Sequence, residues 1–178
     1  MKDYWAIRAK KYDQLQWVKN KILLKELINF SNFRAEDRVL DAGCGTGTVS
    51  KEIVNLVSRV YAVDKSENML SKMKDNENIV KICKDIEKEI ISKIFFDKII
   101  ARMVFHHIVN LSETFQNCRR MLKSDGWLVI QEGGIIPQKE KKVFKWYCEM
   151  MALKEDRHNF TIEELKEHFI DCGFINVE

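Results

Sequence analysis

Short apolar segments alternate with segments of helical periodicity along most of the chain. The runs "RVLDA" (38–42) and "VYAV" (60–63) are rich in β-branched residues and predict two strands. Between them Val49, Ile53 and Leu56 recur at the spacing of one helix face. A strand, a helix and a second strand in this order form the unit from which parallel sheets are built.

The same alternation continues through the middle of the chain. Helices are predicted from Ser66 to about Asp75 and over residues 111–122, and a turn at 123–126 closes the second of them. Three further strands are predicted at 78–83, 96–102 and 127–132. The whole pattern predicts an α/β protein with a doubly wound, mostly parallel sheet.

Three segments fall outside this alternation. Residues 13–30 have the pattern of an amphipathic helix ahead of the first strand, and an apolar stripe follows the fifth strand. The last helix is predicted to begin at a capping box of Thr161 and Glu164, flanked by the hydrophobic pair Phe160 and Leu165. The stripe consists of Val143, Phe144, Tyr147, Met150 and Met151.

Length and charge narrow the class of protein. The chain has 178 residues, enough for one domain with a small cap, and 30 Lys and Arg stand against 27 Asp and Glu. A net charge of +3 spread along the chain does not favour nucleic acid as a partner. Five widely spaced cysteines without a C-x-x-C pattern predict neither a disulfide framework nor a metal site. No apolar run reaches the ~20 residues that span a membrane, so a soluble cytoplasmic protein is expected.

Glycines cluster immediately after the first predicted strand, as Gly43, Gly45 and Gly47. A dinucleotide-binding loop has the spacing G-x-G-x-x-G, but Thr48 stands where the third glycine of that pattern would fall. Asp41 precedes the loop, where a negative charge does nothing for a pyrophosphate, and no Gly-Lys-Ser/Thr follows as in a P-loop. The loop therefore favours a ligand that carries a positive group and no phosphates.

Polar residues also follow the other predicted strands. Ligands of open α/β sheets bind beyond the carboxyl ends of the strands. Asp64 follows the second strand, Asp85 the third and residues 102–107 the fourth. These residues are therefore expected to share one site with the glycine loop.

Five successive segments carry the most specific signal: "VLDAGCGTG", "VYAVDKSENML", "ICKDIE", "FDKIIARMVFHHI" and "CRRMLKSDGWLVIQEG". In this order they resemble the motifs of class I S-adenosylmethionine-dependent methyltransferases. The resemblance covers about residues 36–134, with a weaker match at "WAIRAKKYD", and is closest to the small-molecule group that includes the ubiquinone and menaquinone C-methyltransferases. It implies a Rossmann-like methyltransferase fold with three α/β/α layers, and S-adenosyl-L-methionine as cofactor.

The resemblance also implies which residues hold the methionine part of the cofactor. The backbone of Gly43, Gly45 and Gly47 would pass against it, because a Cβ would block the approach. Asp41 would complement its ammonium group, directly or through water. The resemblance also implies that Arg102, the last residue of the fourth strand, contacts the cofactor.

A second group of residues is implied for the adenosine part. Asp64 would accept hydrogen bonds from both ribose hydroxyls, and Met69 would pack against the adenine ring. Asp85 would accept a proton from the adenine amino group, with the N–H of Ile86 beside it. Tyr12 would belong to an N-terminal lid over the cofactor.

Two histidines are the candidate catalytic residues. Methyl transfer from a sulfonium is an in-line displacement, so alignment in a dry site can supply much of the catalysis. A carbon or hydroxyl acceptor must also lose a proton, and His106 and His107 lie just after the fourth strand. Either is a candidate base, and the sequence does not choose between them. The alternative is that one stabilises the loop by hydrogen bonding while the other faces solvent.

The acceptor is expected to be a small, partly apolar or aromatic molecule. Neither a D/N-P-P-Y/F motif nor a Pro-Cys pair is present, which disfavours amino-nitrogen and C5 methylation of nucleic acid. Residues 1–34 are expected to form an N-terminal helical cap, and residues 35–178 the methyltransferase domain with a substrate lid at 135–160. Trp146 and the apolar stripe could line that lid, although such a stripe also serves plain packing.

Two functions of other classes remain open from the sequence. One is a non-catalytic module that binds S-adenosylmethionine without transferring its methyl group. The other is a nicotinamide-dependent dehydrogenase, against which Thr48 and Asp41 argue.

The C-terminus carries one further expectation. The resemblance implies a seven-stranded sheet, and "FINVE" (174–178) has the alternation of the sixth strand, with no residues following for the seventh. Without that last strand one edge of the fifth strand would expose unpaired backbone groups. We therefore expect a truncated form of a longer protein, a rearranged terminus or a partner chain at that edge, with an oligomer as one outcome.

Overall fold

The structure is a computed structural model that describes residues 4–91, 93–133 and 161–177. These ranges contain five strands, seven α-helices and two short 3₁₀ turns, Tyr12–Gln14 and Phe105–His107. The strands are β1 (Arg38–Ala42), β2 (Arg59–Asp64), β3 (Ile79–Cys83), β4 (Phe96–Arg102) and β5 (Leu122–Gln131). The helices are α1 (Tyr4–Ala9), α2 (Gln16–Lys19), α3 (Lys21–Ser31), α4 (Thr48–Ile53), α5 (Glu67–Leu70), α6 (Leu111–Met121) and α7 (Ile162–Asp171).

The five strands form one parallel sheet in the order β3-β2-β1-β4-β5. β1 lies in the centre, and its Val39 is opposite Val60 of β2 on one side and Lys98 of β4 on the other. The chain passes outward from β1 to β3 and then crosses back to β4, so the strand order reverses beside β1. This topology confirms the predicted doubly wound sheet and leaves a crevice at the carboxyl ends of β1 and β4.

Both faces of the sheet are covered by helices. Side chains alternate along a strand, so Leu40 packs in the core on the α6 and α7 side, whereas Val39 packs in the core on the α3 and α4 side. Phe115 of α6 and Ile53 of α4 are fully buried, one in each core. Burial on both faces explains why the strand sequences are almost continuously apolar.

The N-terminal helix predicted over residues 13–30 is interrupted at Asn20. This residue has an extended backbone, and its side-chain oxygen accepts hydrogen bonds from the N–H groups of Ile22 (3.1 Å) and Leu23 (3.2 Å). An asparagine placed in this way caps a new helix, α3, instead of continuing the preceding one. The prediction of one continuous helix is therefore wrong.

Two predicted boundaries also differ from the structure. Helix α5 ends at Leu70 instead of about Asp75, and the ammonium group of Lys81 binds the carbonyl of Met73 beyond its end (2.5 Å). Residues 123–126 do not form a turn but belong to β5, which starts directly after α6. A register shift between Phe96 and Lys98 of β4 accommodates the extra residues of β5.

The sixth strand predicted at residues 174–178 is not found over the described residues 174–177. Gly173 and Asn176 both have positive φ, of 82° and 55°, which is incompatible with a continuous extended strand. Within the described part of the chain β5 pairs with β4 alone.

The capping box of the last helix is confirmed. The hydroxyl of Thr161 accepts a hydrogen bond from the N–H of Glu164 (3.1 Å), and the Glu164 carboxylate accepts one from the N–H of Thr161 (3.0 Å). Phe160, the apolar stripe and the predicted lid at 135–160 lie outside the described residues.

Among the helices that are described, none combines the length and apolar character needed to cross a membrane.

A buried ion pair ties the end of α3 to the sheet. The ammonium group of Lys98 donates to the Asp37 carboxylate (2.7 Å) and to the carbonyl of Asn32 (2.9 Å). The two charged side chains are only 9% and 4% exposed. Because the Arg34 N–H also donates to that carboxylate (2.8 Å), the charge of Asp37 is compensated from two sides.

Lys98→Met is expected to destabilise the protein by about 3–5 kcal/mol, because it leaves the Asp37 carboxylate buried without its cation. The matched control is Lys123→Met, which removes a more exposed ion pair with Asp97 and should lower the free energy of unfolding by less than about 1 kcal/mol. Urea unfolding measures both values. Equal losses of unfolding free energy in the two variants would show that the buried ion pair matters no more for stability than the exposed one.

Candidate active site

A cleft opens at the carboxyl edge of the sheet, beside the point where the strand order reverses. It encloses about 560 Å³ of space free of protein atoms, part of it open to solvent. The N-terminal segment and the segments that follow β1, β2, β3 and β4 all contribute to its walls. The lining residues are Trp5, Tyr12, Gly43, Gly45, Asp64, Lys65, Met69, Lys84, Asp85, Ile86, Met103, Val104, His107 and Ile108.

The glycine loop after β1 forms one wall of this cleft. Gly43, Gly45 and Gly47 all have positive φ, of 67°, 55° and 80°. At Gly43 space is also limiting, because a Cβ would lie 2.6 Å from a methyl carbon of Val104 in the loop after β4. Gly47 lies behind the wall, where a Cβ would meet Met73 at 2.5 Å. The absence of a side chain at Gly43 therefore lets the loops after β1 and β4 touch.

The carboxylate of Asp64 is held between the glycine loop and α5. Its Oδ2 accepts a hydrogen bond from the N–H of Gly45, and its Oδ1 accepts one from the N–H of Ser66, both at 2.8 Å. Burial raises the pKa of Asp64, and these two hydrogen bonds act in the opposite direction. Each carboxylate oxygen has a second lone pair, so the group can also accept hydrogen bonds from hydroxyls of a ligand.

Asp41 lies behind the glycine loop and not among the residues that line the cleft. Its Oδ2 accepts hydrogen bonds from the N–H (3.0 Å) and the hydroxyl (2.5 Å) of Ser50 at the start of α4. Complete burial raises the pKa of Asp41 to about 6, although these hydrogen bonds lower it. The carboxylate therefore contributes negative potential beneath the loop.

Arg102, at the end of β4, is linked through Gln131 of β5 to helix α3. Its Nε donates a hydrogen bond to the side-chain oxygen of Gln131 (2.8 Å), and the Gln131 amide donates to the carbonyl of Leu23 (2.8 Å). Burial lowers the pKa of Arg102, whereas the charges of Tyr12 and Asp41 raise it. Arg102 is 8% exposed and is absent from the cleft lining, so it supports the site from behind.

The segments after β2 and β3 supply an apolar patch, Met69 and Ile86, flanked by the charged residues Asp64, Lys65, Lys84 and Asp85. Met69 is 1% exposed and Ile86 6%, and both face the cleft. Asp85 begins a turn in which its carboxylate accepts the N–H of Glu87 (3.1 Å), and Lys88 lies 3.7 Å from it. The patch of Met69 and Ile86 suits a flat, weakly polar group, and Asp85 next to it can accept a hydrogen bond.

The two candidate histidines in the loop after β4 differ in whether they line the cleft. The 3₁₀ turn Phe105–His107 directs His107 to the cleft, whereas His106 is 6% exposed and lines no part of it. The two rings are neighbours, with centroids 4.0 Å apart. Met103, which precedes this turn, has a φ of 60°, an uncommon conformation for a residue with a side chain.

Glu132 follows β5 and binds the same loop. Its Oε1 accepts hydrogen bonds from the N–H groups of Val104 (2.7 Å) and Phe105 (2.6 Å), and its Oε2 lies 2.7 Å from Nδ1 of His106. The Glu132 side chain is 1% exposed. The sequence analysis missed this residue, although the rule that found Asp64 and Asp85, an acid directly after a strand, applies to it as well.

The N-terminal segment covers the cleft from the outside. The Trp5 ring meets the His107 ring edge to face, with centroids 5.0 Å apart. Tyr12 lies over the glycine loop, where a Cβ on Gly45 would come within 3.5 Å of its ring. The hydroxyl of Thr46 in that loop donates to the Asp13 carboxylate (2.5 Å), which fixes the segment to the loop.

Most of the residues predicted from the sequence meet in this cleft. Tyr12, Gly43, Gly45, Asp64, Met69, Asp85, Ile86 and His107 line it, whereas Asp41, Gly47, Arg102 and His106 lie behind its walls. Met103 and Val104 also line it and lie within the segment 102–107 that the sequence placed at this site, whereas Trp5, Lys65, Lys84 and Ile108 were not predicted. Lys65, Lys84 and Ile108 only adjoin predicted residues in the chain, which does not say where a side chain points, and Trp5 lies in the weakly matching N-terminal segment.

Comparison with known proteins identifies the family. A family model described as a methyltransferase domain matches residues 40–130, just over half of the chain. The malonyl-[acyl-carrier protein] O-methyltransferase of Bacillus cereus is 31% identical over 134 residues, which cover 71% of this chain and 49% of that protein. The chain therefore spans about half the length of the curated relatives it matches.

Solved structures share the fold at lower identity. A Haloferax volcanii methyltransferase in complex with the Trm112 activator has a TM-score of 0.80 at 18% identity, covering 100% of this chain and 79% of that one. Haemonchus contortus phosphoethanolamine N-methyltransferase 2 in complex with S-adenosyl-L-methionine has a TM-score of 0.74 at 21% identity, covering 99% and 43%. The chain belongs to the S-adenosylmethionine-dependent methyltransferases, which confirms the family, the fold and the class of cofactor inferred from the sequence.

Asp41→Asn is expected to change how stability depends on pH. The pKa of Asp41 is raised to about 6 in the folded protein, from an ordinary value of 3.8, so between these values the folded state binds a proton that the unfolded chain has lost. The contribution of Asp41 to the free energy of unfolding therefore falls as the pH rises through this window, by about 3 kcal/mol in total.

Urea unfolding near pH 4 and near pH 7 measures this effect. The variant should gain stability relative to the wild type at the higher pH, because it carries no charge that burial disfavours. A difference between the two proteins that is the same at both pH values would contradict the raised pKa.

Proposed function

We propose that this protein binds S-adenosylmethionine in the cleft and transfers its methyl group to a small, partly apolar or aromatic acceptor. The observation that carries the proposal is the meeting of the glycine loop, the Asp64 carboxylate and the apolar wall of Met69 and Ile86 around one cleft. These groups come from three different segments of the chain, and the sheet brings them together at one edge.

The residues present fit the proposed cofactor. The Asp64 carboxylate is fixed by two backbone N–H groups and has lone pairs left for two vicinal hydroxyls of a ribose. Met69 and Ile86 offer apolar surface to an adenine ring, and Asp85 lies at the edge of that surface to accept its amino group. The Tyr12 ring lies close to Gly45, so both can border the methionine part, and the negative potential of Asp41 favours a ligand that carries positive charge there.

The contribution of the protein to the reaction is mainly geometric. S-adenosylmethionine supplies a sulfonium-activated methyl group. Trp5 and Tyr12 cover part of the cleft, and exclusion of water beneath them strengthens electrostatic contacts there. We propose that residues 1–34 act as a helical cap and that residues 135–160 complete the enclosure as a lid over the acceptor. Alignment of acceptor, methyl and sulfur in such a site lowers the activation free energy by up to about 7–11 kcal/mol.

Of the two histidines, we assign contact with the acceptor to His107. Its ring lines the cleft next to Met103 and Ile108, on the side that Trp5 covers. His106 directs Nδ1 to Glu132 and lies behind the wall. For an acceptor that must lose a proton, His107 is the general base, whereas a carboxylate acceptor needs none.

A cytoplasmic location and a small-molecule partner belong to the same proposal. Cys44, Cys83, Cys118 and Cys172 are free thiols, which fits a reducing compartment. The Bacillus cereus relative named above is a methyltransferase of an acyl group on a carrier protein, so acyl thioesters are included with aromatic compounds in the acceptor panel below.

Asp64→Ala is expected to weaken binding of S-adenosylhomocysteine by roughly 2–3 kcal/mol, or 30- to 150-fold, because hydrogen bonds to a charged acceptor are lost. Isothermal titration calorimetry measures the affinity, and thermal unfolding shows that the variant is folded. Asp75→Ala is the matched control, since the Asp75 side chain is almost fully exposed and away from the cleft. A loss below threefold at Asp64, or NAD binding to the wild type with comparable affinity, would contradict the assignment.

His107→Ala is expected to lower turnover by about 10²-fold or more with a hydroxyl or carbon acceptor, because the base is removed. Release of S-adenosylhomocysteine with a panel of phenols, catechols, quinols and acyl thioesters measures the rate. His168→Ala, on α7 and outside the cleft, is the control and should keep the wild-type rate. A His107 variant as fast as that control with a hydroxyl or carbon acceptor would remove His107 from the chemistry.

A further inference from the structure

The Glu132 carboxylate makes three hydrogen bonds to the loop after β4. Three donors of that loop converge on it: the N–H groups of Val104 and Phe105 at 2.7 and 2.6 Å, and Nδ1 of His106 at 2.7 Å. The carboxylate is 1% exposed, so water does not compete for these bonds. Glu132 therefore determines the path of the backbone from residue 104 to residue 106.

The same loop starts from a strained residue. Met103 has a φ of 60°, while its N–H donates to the carbonyl of Gln131 (2.8 Å) and holds it beside the end of β5. A residue with a side chain adopts this conformation only where its surroundings impose it. The three bonds to Glu132 follow directly after Met103, and together with the backbone bonds of Met103, His107 and Ile108 they oppose relaxation of the turn.

The loop carries residues that line the cleft. Val104 touches Gly43, where a Cβ would be only 2.6 Å from its methyl carbon, and Met103, Val104, His107 and Ile108 line the cleft. A movement of one to two ångströms in residues 104–106 would therefore change the width of the cleft and move His107 away from the acceptor.

We propose that Glu132 is a positioning residue, which holds the loop after β4 in the conformation that binds the cofactor and presents His107, and that His106 is its partner and not a base. This inference rests on the proposed function. It explains why two adjacent histidines differ in burial, since the first anchors the loop from behind and only the second reaches the cleft.

The chemistry of the pair allows a matched set of variants. Glu132→Ala removes the acceptor for all three donors. Glu132→Gln keeps the volume, and its amide oxygen can still accept the two N–H groups while its NH₂ donates to Nδ1 of the other His106 tautomer. His106→Asn retains a side-chain N–H donor near the place of Nδ1, whereas His106→Leu fills similar space without a donor.

Two measurements test the proposal on the full chain, well below the unfolding temperature of each variant. Amide hydrogen exchange at Val104 and Phe105 reports whether the loop is held, with or without ligand. Calorimetry with S-adenosylhomocysteine reports whether the held loop matters for the site.

Glu132→Ala should lose exchange protection at both amides and bind S-adenosylhomocysteine about tenfold or more weakly, and Glu132→Gln should lose much less. His106→Leu should weaken binding about fivefold, and His106→Asn should restore it to within about twofold of the wild type. Rescue by asparagine distinguishes a hydrogen-bonding role from a role of the imidazole itself.

Other results would overturn the proposal. A Glu132→Ala variant of lower stability but unchanged affinity would show that the residue serves folding only. A His106→Asn variant as weak as His106→Leu would show that the imidazole is needed for itself. Failure of the wild type to bind S-adenosylhomocysteine would reject the proposed function instead, and the exchange data would still decide whether Glu132 holds the loop.

Discussion

The structure depends on the parallel pairing of β1 with both β2 and β4. Hydrogen bonding in this register places Ala42 beside Val63 on one side and beside Ala101 on the other, so three strands end at the same level. The chain leaves β1 towards the α4 face and β4 towards the α6 face, which opens a crevice between the two exits. The residues proposed for the site lie at this edge or directly behind it.

The close approach of two loops turns that crevice into a shaped site. Gly43 and Val104 touch because the glycine has no side chain, and Glu132 holds the backbone on the Val104 side. The glycine loop is held in turn by Asp64, which accepts the N–H of Gly45, and by Asp13, which accepts the hydroxyl of Thr46. Hydrogen bonds to carboxylates therefore define both walls of the cleft.

These carboxylates also set the electrostatics of the site. Asp41, Asp64 and Glu132 are all buried or partly buried near the carboxyl ends of the strands, and burial raises the pKa of the first two. Such an arrangement is costly in the empty protein and favours a ligand that brings hydrogen-bond donors and positive charge. The loop spacing separately distinguishes this chain from dinucleotide-binding proteins.

The sequence alone determined the fold class, the bounds of β1 and β4, the capping box of α7 and the family, because these depend on local periodicity and on motifs with fixed spacing. It also indicated eight of the residues that line the cleft, since residues after parallel strands must share one edge. Only the tertiary structure showed that His107 lines the cleft and His106 does not, that Asp41 and Arg102 lie behind the wall, and that Glu132 accepts hydrogen bonds from the loop after β4. Adjacent residues in a turn can point in opposite directions, and a hydrogen bond between residues 26 to 28 positions apart leaves no trace in local pattern. These details therefore depend on the packing of distant segments, which the folded chain alone provides.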